Sequence, residues 1–364
     1  MLIKELVQII ETEAPLALQE SYDNAGLIVG QEDREISGVL ICIDVTEKVI
    51  DEAIAGNFNL IVSHHPLIFS GLKKITGQNE VQKCVAKAIK NDIAIYAAHT
   101  NLDSVAHGVS GKMAEKIGLI NTKILIPASN SLLKLICYVP RLYIFSVREA
   151  LFAAGAGEIG NYDSCSFSSE GLGTFRANEN AKPFVGNINE LHTETELRLE
   201  LILPTYLKHK VIEALLLSHP YEEPAYDIFA LENQWNKVGM GIIGELVEPE
   251  DELTFLNRIK SIFNVGVIRH TQLLNKKITK VALCGGSGSG LLGAAMAKQA
   301  DIYISGDFKY HEFFEAENKI LIADIGHFES EQFTKDVFLE IITKKIPTFA
   351  VRISEINTNP INYL

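Results

Sequence analysis

Two adjacent histidines, His64 and His65, end an apolar run, Leu60 to Val62, and are followed by Pro66. A neutral imidazole nitrogen is a common ligand for borderline divalent cations. Side chains on a turn diverge less than the opposed neighbours of a regular strand, so each ring could serve a different ion of a close pair. Alone, the pair reads as a loop with two solvated histidines. Two further stretches change that reading. The run Ile93 to Ala98 leads into His99 and Asp103, and the run Ile320 to Ile325 leads into His327, with Glu331 four residues on. A spacing of four on a helix brings two side chains together. His64, His65, Asp103, His327 and Glu331 are therefore candidate metal ligands. This mixed nitrogen and oxygen set suits Zn(II), Mn(II), Fe(II), Co(II) or Ni(II). Five donors are too many for one ion with open positions, but they suit two divalent metal ions sharing a carboxylate. Two such ions about 3.5–4 Å apart, with a water between them, are an arrangement for hydrolysis. His99, Asp307 and His311 are candidates to orient the ligands, and Glu329 reads as a solvated acid.

The elements that must position these residues follow from the apolar pattern. Asp23 and Asn24 read as an Asx turn ahead of a short apolar run. Gly38 to Asp44 reads as a buried strand, residues 47–56 as a helix capped by Thr46, and Leu60 onward as another strand. Strand, helix and strand with short connections form a βαβ unit with parallel strands. A helix near residues 80–90 and the strand Ile93 to Ala98 extend it. Parallel strands deliver their carboxyl-end loops to one edge of a sheet, where ligands bind. The ligand-bearing loops are expected on one such edge.

Texture changes near Ile120 to Ser131 and returns after residue 236. The expected organisation is residues 1–130 as the first half of an α/β core with largely parallel strands, 131–235 as an insert, and 236–364 as the second half. Within the insert, strands near Leu133 to Val139, Glu196 to Leu203 and Asp227 to Leu231 alternate with two helices and a hairpin, the pattern of a ferredoxin-like α+β unit. His219 with Glu222 and Glu223 could hold a metal, but a polar turn closed by Pro220 is the simpler reading. In the second half, strands are expected to about Leu246, at Lys280 to Cys284, at Ile302 to Ser305 and at Ile346 to Ile353, with a long helix from Ser330 to Thr343.

Gly288-Ser289-Gly290-Leu291-Leu292-Gly293 fits GxGxxG between a strand and a helix. It lies late in the chain, and Asp307 sits among candidate metal-site residues. A tight turn cradling a substrate phosphate is preferred to dinucleotide binding.

The net charge of -13 argues against a nucleic-acid partner, which needs a basic face. It leaves a small-molecule substrate such as a nucleotide open, because bound cations supply local positive charge. Five cysteines, widely spaced, read as free thiols of a reducing compartment. The first residues carry acids every few positions, unlike a signal peptide, and no apolar run reaches the ~20 residues of a membrane span. A cytoplasmic protein without membrane contact is expected.

The motifs YDNAGL (22–27), SHHP (63–66), HTNLD (99–103), SGDFKYHE (305–312) and GHFESE (326–331) together resemble the interacting-factor-three-like family, whose members are often described as GTP cyclohydrolase I type 2 homologues. The resemblance covers both ends of the chain. It implies that His64, His65, Asp103, His327 and Glu331 bind two metal ions per subunit. Members often carry Trp where this chain has Tyr22, a difference that bears on pocket shape alone. The insert, with GAGEIGNYDSCSF, GLGTF and HPYEEPAYD, looks like the CutA-like or PII-like module of longer bacterial members. The resemblance further implies a homohexamer with the metals facing an internal cavity. The implied reaction opens the purine ring of GTP, with water activated by the metals attacking C8 and formate released. The alternatives are phosphoester cleavage and a metal-binding or regulatory protein without turnover.

Overall fold

The computed structural model describes residues 1–364. It divides into two compact units, one built from Met1–Ile126 with Val238–Leu364 and the other from Pro127–Lys237.

The first unit is α/β with two separate sheets. In the first sheet, strands Val39–Cys42, Leu60–Ser63 and Ala94–Ala97 run parallel, with Leu60 opposite Val39 and Ala94. Val351–Ile353 adds a parallel edge and Gly26–Val29 an antiparallel one. All residues of the three central strands are buried, because helices cover both faces. On one face, helix Ile3–Glu13 presents Ile3, Leu6 and Ile10, one stripe of a 3.6-residue period. On the other lies helix Glu47–Ala55, started by the Thr46 hydroxyl, which accepts from the Val49 amide at 3.3 Å, and burying Val49, Ile50 and Ala53.

The other sheet of this unit has six strands. Its centre is again parallel: Lys277–Ser287, Ile302–Gly306 and Leu321–Asp324. Arg269–His270 adds an antiparallel edge to Leu321–Asp324. The long strand Trp235–Asp251 joins Lys277–Ser287 antiparallel on the other side, and Ile120–Ala128 lies beyond it. Each sheet has its own apolar layers.

The single expected sheet edge is therefore corrected. The ligand-bearing loops leave the carboxyl ends of parallel strands in two sheets. The C-terminal elements differ too. Helix His327–Glu331 ends before a separate helix, Thr334–Lys345, and the last strand shortens to Val351–Ile353. Ile120–Ala128 is a strand that the expected elements did not include.

The second unit is a βαββαβ domain. Its strands are Leu132–Pro140, Phe167–Arg176, Leu191–Pro204 and Tyr226–Leu231, and its helices are Ile144–Ala153 and Lys208–Ser218. Numbered within the unit, the antiparallel sheet order is 2-3-1-4, the ferredoxin-like arrangement. Alternate residues Leu199, Leu201 and Leu203 bury against Val147, Leu151, Val211 and Leu215 of the helices. The opposite face of the sheet has no helix on it.

Candidate metal centre

His64 is fully buried just past the Leu60–Ser63 strand, and His65 is half-buried beside it. The His64 Nδ1 donates to the Ala98 carbonyl at 3.0 Å, on the neighbouring strand end. That bond fixes the proton on Nδ1 and turns Nε2 inward. His65 Nδ1 is held by Asp44 Oδ1 at 2.7 Å, and Asp44 Oδ2 accepts from the Thr358 hydroxyl at 2.7 Å. From the six-stranded sheet, His327 Nδ1 meets Asp307 Oδ2 at 2.6 Å. All three rings thus use Nδ1 on an acceptor and aim Nε2 at one space.

Glu331 closes that space. Its side chain is 4% exposed, with Oε2 at 3.0 Å from His65 Nε2 and 3.1 Å from His327 Nε2. Its Oε1 lies 3.6 Å from His64 Nε2. Asp103, at the end of the short helix Thr100–Asp103 rather than on an open loop, places Oδ1 3.7 Å from His64 Nε2. All five expected residues meet. Gly286 permits the approach: its φ is +62°, and a Cβ there would fall 2.2 Å from Glu331 Oε1.

The donor set fits a metal on an observation of its own. His64 Nε2, Asp103 Oδ1 and Glu331 Oε2 are buried without a hydrogen-bond partner. His65 Nε2 and His327 Nε2 face each other at 3.4 Å, with both Nδ1 atoms on carboxylates. Converging lone pairs and carboxylates call for positive charge between them. Without an ion, protons supply it. Burial disfavours a charged His65, but Asp44 and Glu331 outweigh it and raise its pKa to about 10. Glu331, then opposed by burial and helped by Asp307, raises His327 to about 9. Burial pushes Asp103 up to about 7. Burial would also raise Glu331, but His64, His327 and His65 hold its carboxyl well below the usual range.

The supporting candidates divide. Asp307 orients His327. His99 orients no ligand. Its own Nδ1 is held by Asp23 Oδ1 at 2.8 Å, and its ring joins the cluster, with ligating atoms of His64, His65 and His99 within 4.8 Å of one another. His311 is exposed against Tyr310 and takes no part in the cluster. Glu329, expected to be solvated, is buried, and its Oε1 accepts from Asn359 Nδ2 at 3.0 Å. Sequence reasoning misses Asp44, although it follows a buried parallel strand as the ligands do. Asp23, expected in an Asx turn, instead holds His99 and accepts from the Thr100 amide at 3.0 Å.

The Gly288 amide and the glycine amides just before the GxGxxG run are taken up within the protein. The amides of Gly285, Gly286 and Gly288 donate to the hydroxyls of Ser110, Ser330 and Ser305 at 3.2, 2.9 and 3.0 Å. The run forms a wall beside Glu331. A cleft of about 410 Å³ opens from the cluster, lined by His65, His99, Asp103 and His327, with Tyr22 and Phe69 among its walls. That volume lies within the small-molecule range. In the second unit, His219 donates from Nε2 to the Tyr138 carbonyl at 3.0 Å and accepts at Nδ1 from the Tyr221 amide at 3.1 Å. It is a structural turn, in line with the simpler reading. All five cysteines are free.

Two sheets that bring histidines and carboxylates from both ends of the chain into one cluster, with a ferredoxin-like unit between the two halves in sequence, define a discontinuous α/β protein with a cluster that could hold a metal ion. The model of the Duf34/NIF3 (NGG1p interacting factor 3) family matches residues 1–360, and the chain belongs to that family. It is 39% identical over 364 residues to the "GTP cyclohydrolase 1 type 2 homolog" of Halalkalibacterium halodurans, covering 99% of this chain and 98% of the relative. The protein of the same name from Bacillus subtilis is 38% identical over 371 residues, with 99% and 98% covered. The crystal structure of a Bacillus cereus protein related to NIF3 is similar at a TM-score of 0.87 and 38% identity, covering 100% of this chain and 99% of that one. No helix is long and apolar enough to cross a membrane.

Proposed function

We propose that the first unit is a dinuclear-metal hydrolase acting on a small substrate of the nucleotide class. His64, His65, Asp103, His327 and Glu331 would hold two divalent ions. The convergence of three Nε2 atoms and two carboxylates, with buried acceptors left unpartnered, carries this reading. Bound ions of this kind supply Lewis acidity, bringing the pKa of water toward about 7 and polarising the bond to be cut.

The chain's own residues do the rest. Asp44 and Asp307 keep the Nδ1 protons of His65 and His327 in place, so both Nε2 lone pairs stay available. Glu331 directs Oε1 toward His64 and Oε2 toward the other two rings, so its one carboxylate would contribute a donor beside each of them. His99, anchored by Asp23, leaves Nε2 free at the cleft to take or return a proton. The names of the relatives make opening of the GTP purine ring, with release of formate, the first reaction to test. Assembly into a homohexamer belongs to the same proposal. It rests on the family resemblance and calls for a solution mass six times that of one chain; exposed side chains such as Tyr310 and Phe314 are available for contact between subunits.

The test pairs elemental analysis of protein purified without a chelating column with formate release from GTP and a phosphoester panel. Two ions per chain, and turnover abolished by His65→Ala, are expected. Two ions with no turnover would leave a metal-binding protein. No bound metal would remove the proposal entirely.

A further inference from the structure

The second unit carries a cleft of its own. It lies on the helix-free face of the sheet and measures about 600 Å³. Phe175, Phe184 and Tyr221 form an aromatic group on it, with ring centroids 6.1 and 6.2 Å from Tyr221. Among them stands Glu196, only 9% exposed. Its carboxylate lies over Gly173 of the neighbouring strand, where a Cβ would fall 2.2 Å from Oε2. The Tyr221 hydroxyl is fully buried, and burial followed by the adjoining Glu196 carboxylate makes it a weaker acid.

Glu196 has no cationic partner; of the nearby cations all but Arg176 are engaged elsewhere. Arg198 and Lys134 pair with Glu200, and Arg141 pairs with Glu170. Arg176 is exposed on the lining. A carboxylate that is nine-tenths buried with no counter-charge is costly unless something positive joins it. Aromatic faces also attract cations, organic ammonium groups above all. A metal ion would need more oxygen or nitrogen donors than this one carboxylate provides.

We propose that this cleft binds a small organic cation, an amine or quaternary ammonium compound, with Glu196 as its counter-charge and Phe175, Phe184 and Tyr221 as its walls. Gly173 is the enabling residue, since its missing side chain is the space the carboxylate occupies.

Calorimetric titration of the full chain with benzyltrimethylammonium, benzyl alcohol and benzoate tests this. The cation should bind saturably, with the neutral and anionic probes at least about tenfold weaker, as expected when the attraction to the carboxylate and to the aromatic faces is missing. Glu196→Gln should weaken the cation by a similar factor. So should Gly173→Ala, which keeps the charge but displaces it, while Glu223→Gln on the exposed rim should change binding less than about twofold. If Glu196→Gln fails to fold, the wild-type ranking and Gly173→Ala still decide. Benzoate binding as tightly as the cation, undiminished binding by a folded Glu196→Gln or Gly173→Ala variant, or no saturation of the wild-type chain at millimolar cation would overturn the proposal.

Discussion

As sequence, Ser63-His64-His65-Pro66 of the first unit and Ser218-His219-Pro220 of the insert are close to interchangeable. Glu222 and Glu223 even stand closer in the chain to His219 than any acid does to His65. Folding gives the two histidines opposite surroundings. His65 has Asp44 at 2.7 Å and Glu331 at 3.0 Å, and its pKa is raised to about 10 against the effect of burial. His219 has a backbone carbonyl on one nitrogen and a backbone amide on the other, and burial lowers its pKa. Protonating His219 would cost it the Tyr221 amide. Enclosure is common to both; the partners brought from elsewhere in the fold decide which one can serve a cation.

The contrast can be tested from its strongest term to its weakest. Glu331→Gln removes the carboxylate shared by all three rings. Metal affinity should fall more than the roughly 10–100-fold typical of losing an outer-shell partner, as read by elemental analysis and competition with a chelator. Asp44→Ala leaves every ligand in place but frees the His65 ring, and should fall within that range of about 10–100-fold. Gly286→Ala changes no polar group. Its φ of +62° and the clash with Glu331 should destabilise the chain by about 1–2 kcal/mol and lower metal content together, measured by denaturant unfolding and elemental analysis.

The fourth test concerns His219. Its folded-state pKa lies below the unfolded value of about 6.5. Above that pH both states are neutral and nothing changes. As pH falls below it, the unfolded chain takes a proton that the folded one does not, so stability declines by up to about 1.4 kcal/mol per pH unit. Unfolding followed by fluorescence of Trp235, the chain's one tryptophan and a residue of the second unit, should show this decline. His219→Gln should flatten it. Last, Arg141→Ala breaks an exposed pair with Glu170 and should shift unfolding by less than about 0.5 kcal/mol.

Much of the cluster is legible in the sequence because its residues sit directly after apolar runs. A run such as Leu60 to Val62 announces a buried strand, and a polar residue just past it is held at a strand end. Asp44 carries the same signal after Val39–Cys42 but escapes notice, since no histidine accompanies it. What stays hidden is long-range pairing. Nothing local in Ile320 to Ile325 says that it joins a different sheet from Leu60 to Val62. Glu331 resembles the first turn of one long helix because 330–343 keeps an apolar period, yet the helix breaks before Thr334. Ile120–Ala128 is hard to recognise as a strand because its first four residues are exposed and lack clean alternation.

His65 and His327 meet across 262 residues of chain. A ribosome adding about 5–20 residues per second would need roughly ten to fifty seconds to deliver the later one after the earlier. Once residue 237 is made the inserted unit, continuous in sequence, is whole, while the nascent chain carries three of the five candidate ligands with nothing to complete the set. Translation of this protein therefore sets an order of assembly in which the cation pocket is among the last features to exist.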